Sequence, residues 1–342
     1  MAARILPAPT EVTRPRFGRA EAWVESPLQL LSAIEAHGAG LLGTSTRIHP
    51  RGGGTGLDAT LRTLISSAPA GIEFARHSLA LPSPAVPEID RWVTGDAYSG
   101  KFQQALLGRL AVREVVVIDD GLVTRSLLRT LCANEPTPLV RQRSAANPAR
   151  SALGLAAWYR MRALARTGRL LVFTALPVEA GLEARFRELG GHLERHRFEW
   201  LGTQPVAEHF HQRTLVVGSA LAADGLIDPG PYLHWVNGLC ADGPLAYFPH
   251  RRERPGFLSE LARNPLITLH AHTIPVEMRL RGLRTGQTVR ALPSTVLPSL
   301  RLLLRPNGVR VEGRAVPDHW WTDEAAPGLR EHLSTSLQEE GP

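Results

Sequence analysis

The stretch EVVVIDDGLVTRSLLRTLC, Glu114 to Cys132, decides the fold. Val115 to Ile118 is an unbroken apolar run, too short for a helix and suited to a strand buried on both faces. LVTRSLLRTLC, beginning at Leu122, alternates apolar and polar residues as an amphipathic helix does. Between them lie Asp119, Asp120 and Gly121, the glycine permitting a tight turn. A strand that runs through an acidic turn straight into a helix is half of a parallel βα unit. Two adjacent carboxylates are more than one helix cap requires, and a carboxylate in a partly dry cleft becomes a better base.

The same alternation recurs on both sides. EAWVESPLQLLSAIEAHG, from Glu21, reads as a strand, a Ser-Pro break and a helix over Leu28 to Ala36 that Gly38 ends. Ser26 is placed as its N-cap, with Pro27 at the first helical position. GAGLLGT, from Gly38, reads as a strand, and GLDATLRTLISSA and SGKFQQALLGRL as helices. An arginine-rich interval at 141–168 reads as a loop and a helix, and RLLVFTAL then returns to strand. Near residue 205 the pattern restarts with the short strands RTLVVGSAL, GPLAYFPH, PLITLH and QTVRAL. The expected class is α/β, with two doubly wound, Rossmann-like domains facing a cleft. The expected division is a flexible lead-in at 1–20, a first domain at 21–205, a second at 206–315 and a closing helix at 316–342.

At 342 residues the chain suits two domains of about 150 residues each. The formal net charge is +7, and Lys101 is the single lysine among 39 basic residues. Arginine suits bidentate grip on phosphate or carboxylate, while so one-sided a usage equally fits a GC-rich genome. The arginines are spread along the chain with no nucleic-acid signature, which favours small anions or a membrane face. Cys132 and Cys240 stand far apart, without the spacing of a zinc ribbon or a disulfide framework. The first residues lack a signal-peptide core, and no run of about 18 apolar residues occurs. These features fit a cytoplasmic protein, for which a peripheral contact with the inner membrane face is compatible with the charge.

Two further constellations lie in the second half. In YFPHRRERPG, His250 follows a strand and precedes Arg251 and Arg252, crowding an imidazole and two guanidiniums into one turn. That composition suits a phosphate and equally a solvated basic loop. In LPSTVLPSLRLLL, Ser294 and Thr295 precede a helix start, where free N–H groups receive anions or where the hydroxyls simply cap. Glu277, in HTIPVEMRLRG, is an acid that fits ribose hydroxyls or a backbone contact.

An acid-acid-Gly turn, a His-centred turn and a Ser-Thr helix start, in that order, resemble the bacterial sialyltransferases and polysialyltransferases, glycosyltransferase family 52 and its relatives. Those families carry a D/E-D/E-G motif, an HP motif and an SS/ST motif on a GT-B fold. Here the three are Asp119-Asp120-Gly121, His250-Arg251 and Ser294-Thr295. The opening SPLQLLSAIEA, TGDAYSG at 94–100, VVGSALAADGLI and IPVEMRL agree, so the resemblance spans most of residues 22 to 305. Arg251 departs from the family's proline. A literal His-Pro, His49-Pro50, precedes the acid pair and lies in the wrong domain.

The resemblance implies a bacterial enzyme of cell-surface polysaccharide synthesis that takes a CMP-activated nonulosonic acid, above all CMP-sialic acid, on its second domain. A glycan or lipid-linked glycan acceptor enters from the first domain, and transfer inverts the anomeric carbon. Asp120 is the expected base with Asp119 as helper or cap, their order open, and Asp228 is the alternative base. His250 would serve the departing phosphate. Tyr247, Arg251, Glu277, Ser294 and Thr295 would hold the donor, and Gly218 and Ser219 would line its phosphate side. No cofactor is expected: no DxD metal motif is present, and the hydroxyls and helix start would stabilise the phosphate.

Two other classes compete. His209 and His211, with His270 and His272, form i, i+2 pairs that on strands would share a face and chelate a metal, as in a hydrolase. A non-catalytic sugar-nucleotide-binding protein of the same fold is the other. RGGGTG at 51–56 lacks both P-loop and GxGxxG spacing and reads as a turn.

Overall fold

The computed structural model describes residues 18–51, 55–76, 89–108, 114–141, 147–271, 274–334 and 337. Its first part comprises β1 (Arg19–Val24), α1 (Pro27–Gly38), β2 (Ser45–Pro50), α2 (Thr55–Leu64), β3 (Ile72–Phe74), β4 (Arg91–Thr94), α3 (Gly100–Leu107), β5 (Glu114–Ile118), α4 (Leu122–Leu131), α5 (Pro148–Arg166), β6 (Leu170–Thr174), α6 (Ala180–Glu188), β7 (His192–Arg195) and α7 (Glu199–Thr203). The second comprises β8 (Thr214–Val217), α8 (Pro229–Gly238), β9 (Leu245–Phe248), α9 (Pro255–Ala262), β10 (Ile267–Leu269), α10 (Val276–Arg279), β11 (Thr288–Ala291), α11 (Val296–Leu304), β12 (Arg310–Gly313) and α12 (Pro327–Ser334).

Two wholly parallel sheets result. The first runs β3-β2-β1-β4-β5-β6-β7 and the second β10-β9-β8-β11-β12. β5 shows why its apolar run must be continuous. Val115 and Val117 pack on one face with Phe102, Leu127 and Met161, while Val116 and Ile118 pack on the other with Leu30, Ile34 and Leu57. Each such side chain contributes about 1.5–3 kcal/mol on full burial, and a polar residue at any of the four would lose this. β9 repeats the arrangement: Leu245 and Tyr247 face α8 and α9, Ala246 and Phe248 face α11.

Strand order reverses between β1 and β4 in the first sheet and between β8 and β11 in the second. At such switch points the connections leave in opposite directions and open a crevice at the carboxyl ends of the strands. Ser26, Gly95 and Asp96 follow β1 and β4, while Gly218, Ser294 and Thr295 follow β8 and β11.

Short helix α7 carries the chain from one sheet to the next and is gripped from both sides. Glu35 of α1 accepts hydrogen bonds from the N–H groups of Trp200 (3.0 Å) and Leu201 (2.8 Å). From the second half, Arg281 donates to the carbonyls of Leu201, Gln204 (2.9 Å) and Pro205 (2.6 Å). Arg279 holds Glu208 through two bonds of 2.8 and 2.6 Å. Met278, Leu302 and Leu303 pack on an apolar cluster of Leu31, Ala175, Phe198 and Leu201. Phe198, fully buried at the start of α7, is the one non-glycine at positive φ (60°) among the described residues.

Several sequence expectations are corrected. Ser26 does cap α1, accepting from Gln29 N at 3.2 Å. GAGLLGT is not a strand, because Gly40 and Gly43 take φ of 72° and 88° and turn the chain, and β2 begins only at Ser45. β3, β4, β7 and β12, of three or four residues each, carry too few positions for a period to be read. The closing segment is helical only over Pro327–Ser334; before it, Trp320 and Trp321 lie on the α8 side of the second sheet. Most of the lead-in, part of RGGGTG and His272 lie outside the described residues. Among the described residues, no helix is long and apolar enough to cross a membrane.

Glu35→Ala leaves two N–H groups of α7 without acceptors. The expected loss is about 1–3 kcal/mol for each buried donor left unpaired, read as a lowered urea midpoint.

Candidate active site at the junction of the two sheets

Asp119 and Asp120, adjacent in sequence, have opposite environments. Asp119 is buried (3% exposed) and its carboxylate is held by two protein donors, Thr174 Oγ1 and the Ala175 N–H at 2.6 Å, with His196 Nε2 nearby at 3.5 Å but not hydrogen-bonded to it. It ties the end of β5 to the end of β6. Neither aspartate caps α4, whose N-cap is Gly121 with no side-chain bond. Instead, Thr124 reaches back from α4 to accept from the Asp120 N–H (3.2 Å).

Asp120 points into the crevice at the first switch point. Its carboxylate receives Ser26 Oγ at 3.5 Å and a bond from the Gln29 side chain. Gln29 is itself fixed, accepting from the Glu25 N–H at 2.8 Å. Gly95 makes room for it, since a Cβ there would sit 2.3 Å from the Gln29 side chain. Burial pushes the Asp120 pKa above the ordinary carboxylate value. The Gln29 bond opposes this, Asp96 adds to it, and Arg141 and Arg251 oppose it. Asp96 is paired with Arg141 at 2.5 Å. A small polar pocket beside Gln29 is lined by Trp23, Glu25, Arg51, Thr94, Asp96 and Ser99.

Across the junction stand the turns of the second sheet. Gly121 adopts φ 68°, and a Cβ there would lie 3.1 Å from Thr295 Oγ1. The acid turn and the Ser-Thr helix start therefore stand so close that a side chain at Gly121 would press on Thr295. Thr295 is the N-cap of α11, and Ser294 Oγ accepts from the Val296 N–H at 3.3 Å. The exposed Arg251 exerts its charge on Asp120. His250, half-buried, accepts from the Arg252 N–H at Nδ1 (3.2 Å). With Nδ1 an acceptor, the neutral ring carries its proton on Nε2.

Glu277, in the first turn of α10, is 5% exposed and faces the Asp119 charge from the other domain. Burial, with a smaller contribution from Asp119, raises its pKa to about 7, against a bond from its own backbone N–H.

Other sequence candidates sit elsewhere. Tyr247 is wholly buried, its hydroxyl shared with Tyr232 (2.8 Å) and Glu253 (2.5 Å), so it supports the turn from beneath and cannot touch a donor. The N–H of Ser219 is bound to Glu253 (3.2 Å) and its Oγ accepts from Leu221 N (3.2 Å), which leaves that amide unavailable to a phosphate. Gly218 packs on Glu253. Asp228 is an exposed cap of α8, accepting from the Gly230 N–H at 2.8 Å, which explains its presence without a base's role. His49, on β2, pairs with Glu21 of β1.

Among the described residues, His209, His211 and His270 form no metal centre. His209 and His211 lie exposed in an irregular segment, where i and i+2 need not share a face. His270 is stacked on Phe248, and burial and the neighbouring Arg279 lower its pKa. A guanidinium at that position repels a cation. Among the described residues, the one group spaced to hold a metal is Glu35, His196 and Glu199, and the Glu35 oxygens are already taken by α7.

Sequence reasoning missed Gln29, Asp96, Arg141 and Glu253. Asp96 lies within the quoted TGDAYSG, but nothing in spacing aims it at Asp120. Glu253, three residues after His250, was hidden in a run of charges.

Two doubly wound parallel sheets meeting at their switch points define the GT-B architecture, which follows from the strand orders themselves. No protein-family model matches the chain, and no curated protein sequence matches it. Among solved structures, it is similar to a UDP-glucose: anthocyanidin 3-O-glucosyltransferase in complex with UDP. That match has a TM-score of 0.48 at 12% identity and covers 95% of this chain and 91% of that one. MurG of Acinetobacter baumannii matches with a TM-score of 0.33 at 13% identity, over 94% of this chain and 93% of that one.

The raised Glu277 pKa has a thermodynamic sign. Unfolded, the group titrates near 4.5; folded, near 7. Between these values the folded chain holds the extra proton, so the stability that Glu277 contributes is present below pH 4.5 and lost as pH rises through 7. Glu277→Gln removes this term. Relative to wild type, its unfolding free energy is expected to gain as pH climbs from 4.5 to 8, by up to on the order of 3 kcal/mol, read as a rising difference in thermal midpoint. Parallel pH profiles of the two proteins would contradict the assignment.

Proposed function

We propose that the protein is an inverting, metal-independent glycosyltransferase that moves sialic acid, or a related nonulosonic acid, from a CMP-activated donor to a glycan acceptor. The observation that carries this reading is the meeting of three turns from two sheets: Gly121 against Thr295, and Arg251 within electrostatic reach of Asp120. Apart from Arg251, which stands where the motif has proline, their residue types match what the motif resemblance implies.

In this mechanism the acceptor sugar lies on the Asp96, Gln29 and Ser26 side of the crevice. Its hydroxyl gives its proton to Asp120, whose raised pKa brings it closer to a working base. The hydroxyl oxygen then bonds to the donor's anomeric carbon as the bond from that carbon to the phosphate oxygen breaks. The bonding pair stays with CMP. His250 donates from Nε2 to the departing oxygen, the Arg252 N–H having left Nδ1 unprotonated. Arg251 and the Ser294 and Thr295 hydroxyls, at the positive end of α11, spread the charge that a metal would otherwise carry. Glu277 holds the ribose hydroxyls from its buried position. Asp119 acts on this chemistry only by fixing the β5 turn.

The test is release of CMP from CMP-sialic acid with a glycan acceptor present. Asp120→Asn is expected to lower turnover by about 100-fold to 10,000-fold and His250→Ala by a similar factor, with chelator without effect. In a thermal-shift screen of CMP, UDP and GDP, selective stabilisation by CMP is expected. CMP binding without turnover in the wild type would favour the non-catalytic binding protein instead.

A further inference from the structure

We propose that Glu253 is a positioning residue whose buried carboxylate locks the turn after β8 to the turn after β9 and so holds the His250 imidazole toward the crevice. Its oxygens divide the work. Oε2 accepts from the His250 N–H at 2.8 Å, and Oε1 from the Ser219 N–H at 3.2 Å, Tyr247 at 2.5 Å and Tyr232 at 3.4 Å. The two amides belong to loops 31 positions apart in the chain, at the ends of neighbouring strands β8 and β9. Gly218 completes the fit, because a Cβ there would stand 2.4 Å from Oε2 and 2.8 Å from the His250 nitrogen.

The rest of the turn depends on this anchor. The Glu253 N–H returns a bond to the His250 carbonyl at 2.9 Å, and the Arg252 N–H reaches His250 Nδ1 at 3.2 Å. Arg252 and Arg254 then bind Asp224 (2.8 Å) and the Ala223 carbonyl (3.3 Å) of the β8 loop. A carboxylate buried to 9% exposure is costly unless its acceptors are used. A helix cap does not account for it, since α9 begins after Arg254 and none of its N–H groups bonds to Glu253. All four donors come from the strand-end turns and the layer beneath them. No neutral side chain replaces it, because an amide presents one acceptor, and either orientation of a glutamine leaves the His250 or the Ser219 N–H facing an NH2 group.

The phosphate chemistry given to His250 rests on the transfer reading above, whereas its positioning does not. The experiment is therefore nitrogen NMR of the full chain labelled at histidine, at alkaline pH, with His250→Ala identifying the resonance. Wild type is expected to show a single tautomer, proton on Nε2. Glu253→Gln is expected to move His250 toward an average of both tautomers and, where the wild type turns over CMP-sugar, to lower kcat by about 10-fold to 100-fold. Gly218→Ala, which displaces the carboxylate without removing it, is the second variant should Glu253→Gln not fold, and is expected to show the same change. A wild-type tautomer in either folded variant overturns the proposal. A moved tautomer in a chain whose wild type never turns over CMP-sugar supports the positioning and removes the transfer reading.

Discussion

The crevice depends on the grip that both halves of the chain keep on α7. Glu35 takes the first free amides of that helix and Arg281 the Leu201 carbonyl and the two carbonyls just past its end, so a five-residue element that could not persist alone in water becomes a rigid joint. Each sheet arranges its own strand-end turns. Only the joint, with Met278, Leu302 and Leu303 packed on Leu31 and Phe198, brings Gly121 against Thr295.

Given that joint, electrostatics separates groups that sequence leaves equivalent. Asp119 gathers donors from Thr174 and Ala175 and becomes part of the frame. Asp120 loses water with less compensation, and its pKa rises. Glu253 and Glu277 are both buried with pKa near 7. Glu253 is surrounded by donors, whereas Glu277 faces the Asp119 charge. The same residue type thus serves as an anchor in one turn and lies opposed to another acid in the next.

The β and α alternation was legible because a strand covered on both faces must be apolar throughout, as at Val115 to Ile118, and an amphipathic helix shows its period, as at Leu122 to Leu131. The Ser26-Pro27 helix start was legible for local steric and capping reasons. The four short strands were not, since three or four residues carry no period. The GAGLLGT segment misled because its two leucines are buried in a turn rather than a strand. Ser219 looked like a ligand contact by its place after a strand and Tyr247 by its place near the end of one, yet Glu253 consumes the Tyr247 hydroxyl and the Ser219 amide.

The amino-acid sequence by itself determined the alternation of elements, the parallel two-sheet class and the strand-end placement of the acid, histidine and Ser-Thr turns. All of these follow from side-chain period, backbone sterics and local capping, which act over a few residues. Tertiary structure alone decided which aspartate stays in the crevice and which turns touch. Those outcomes depend on solvation and hydrogen-bond partners, and the partners of Asp119, Asp120 and Gly121 lie 55, 94 and more than 170 positions away in the chain.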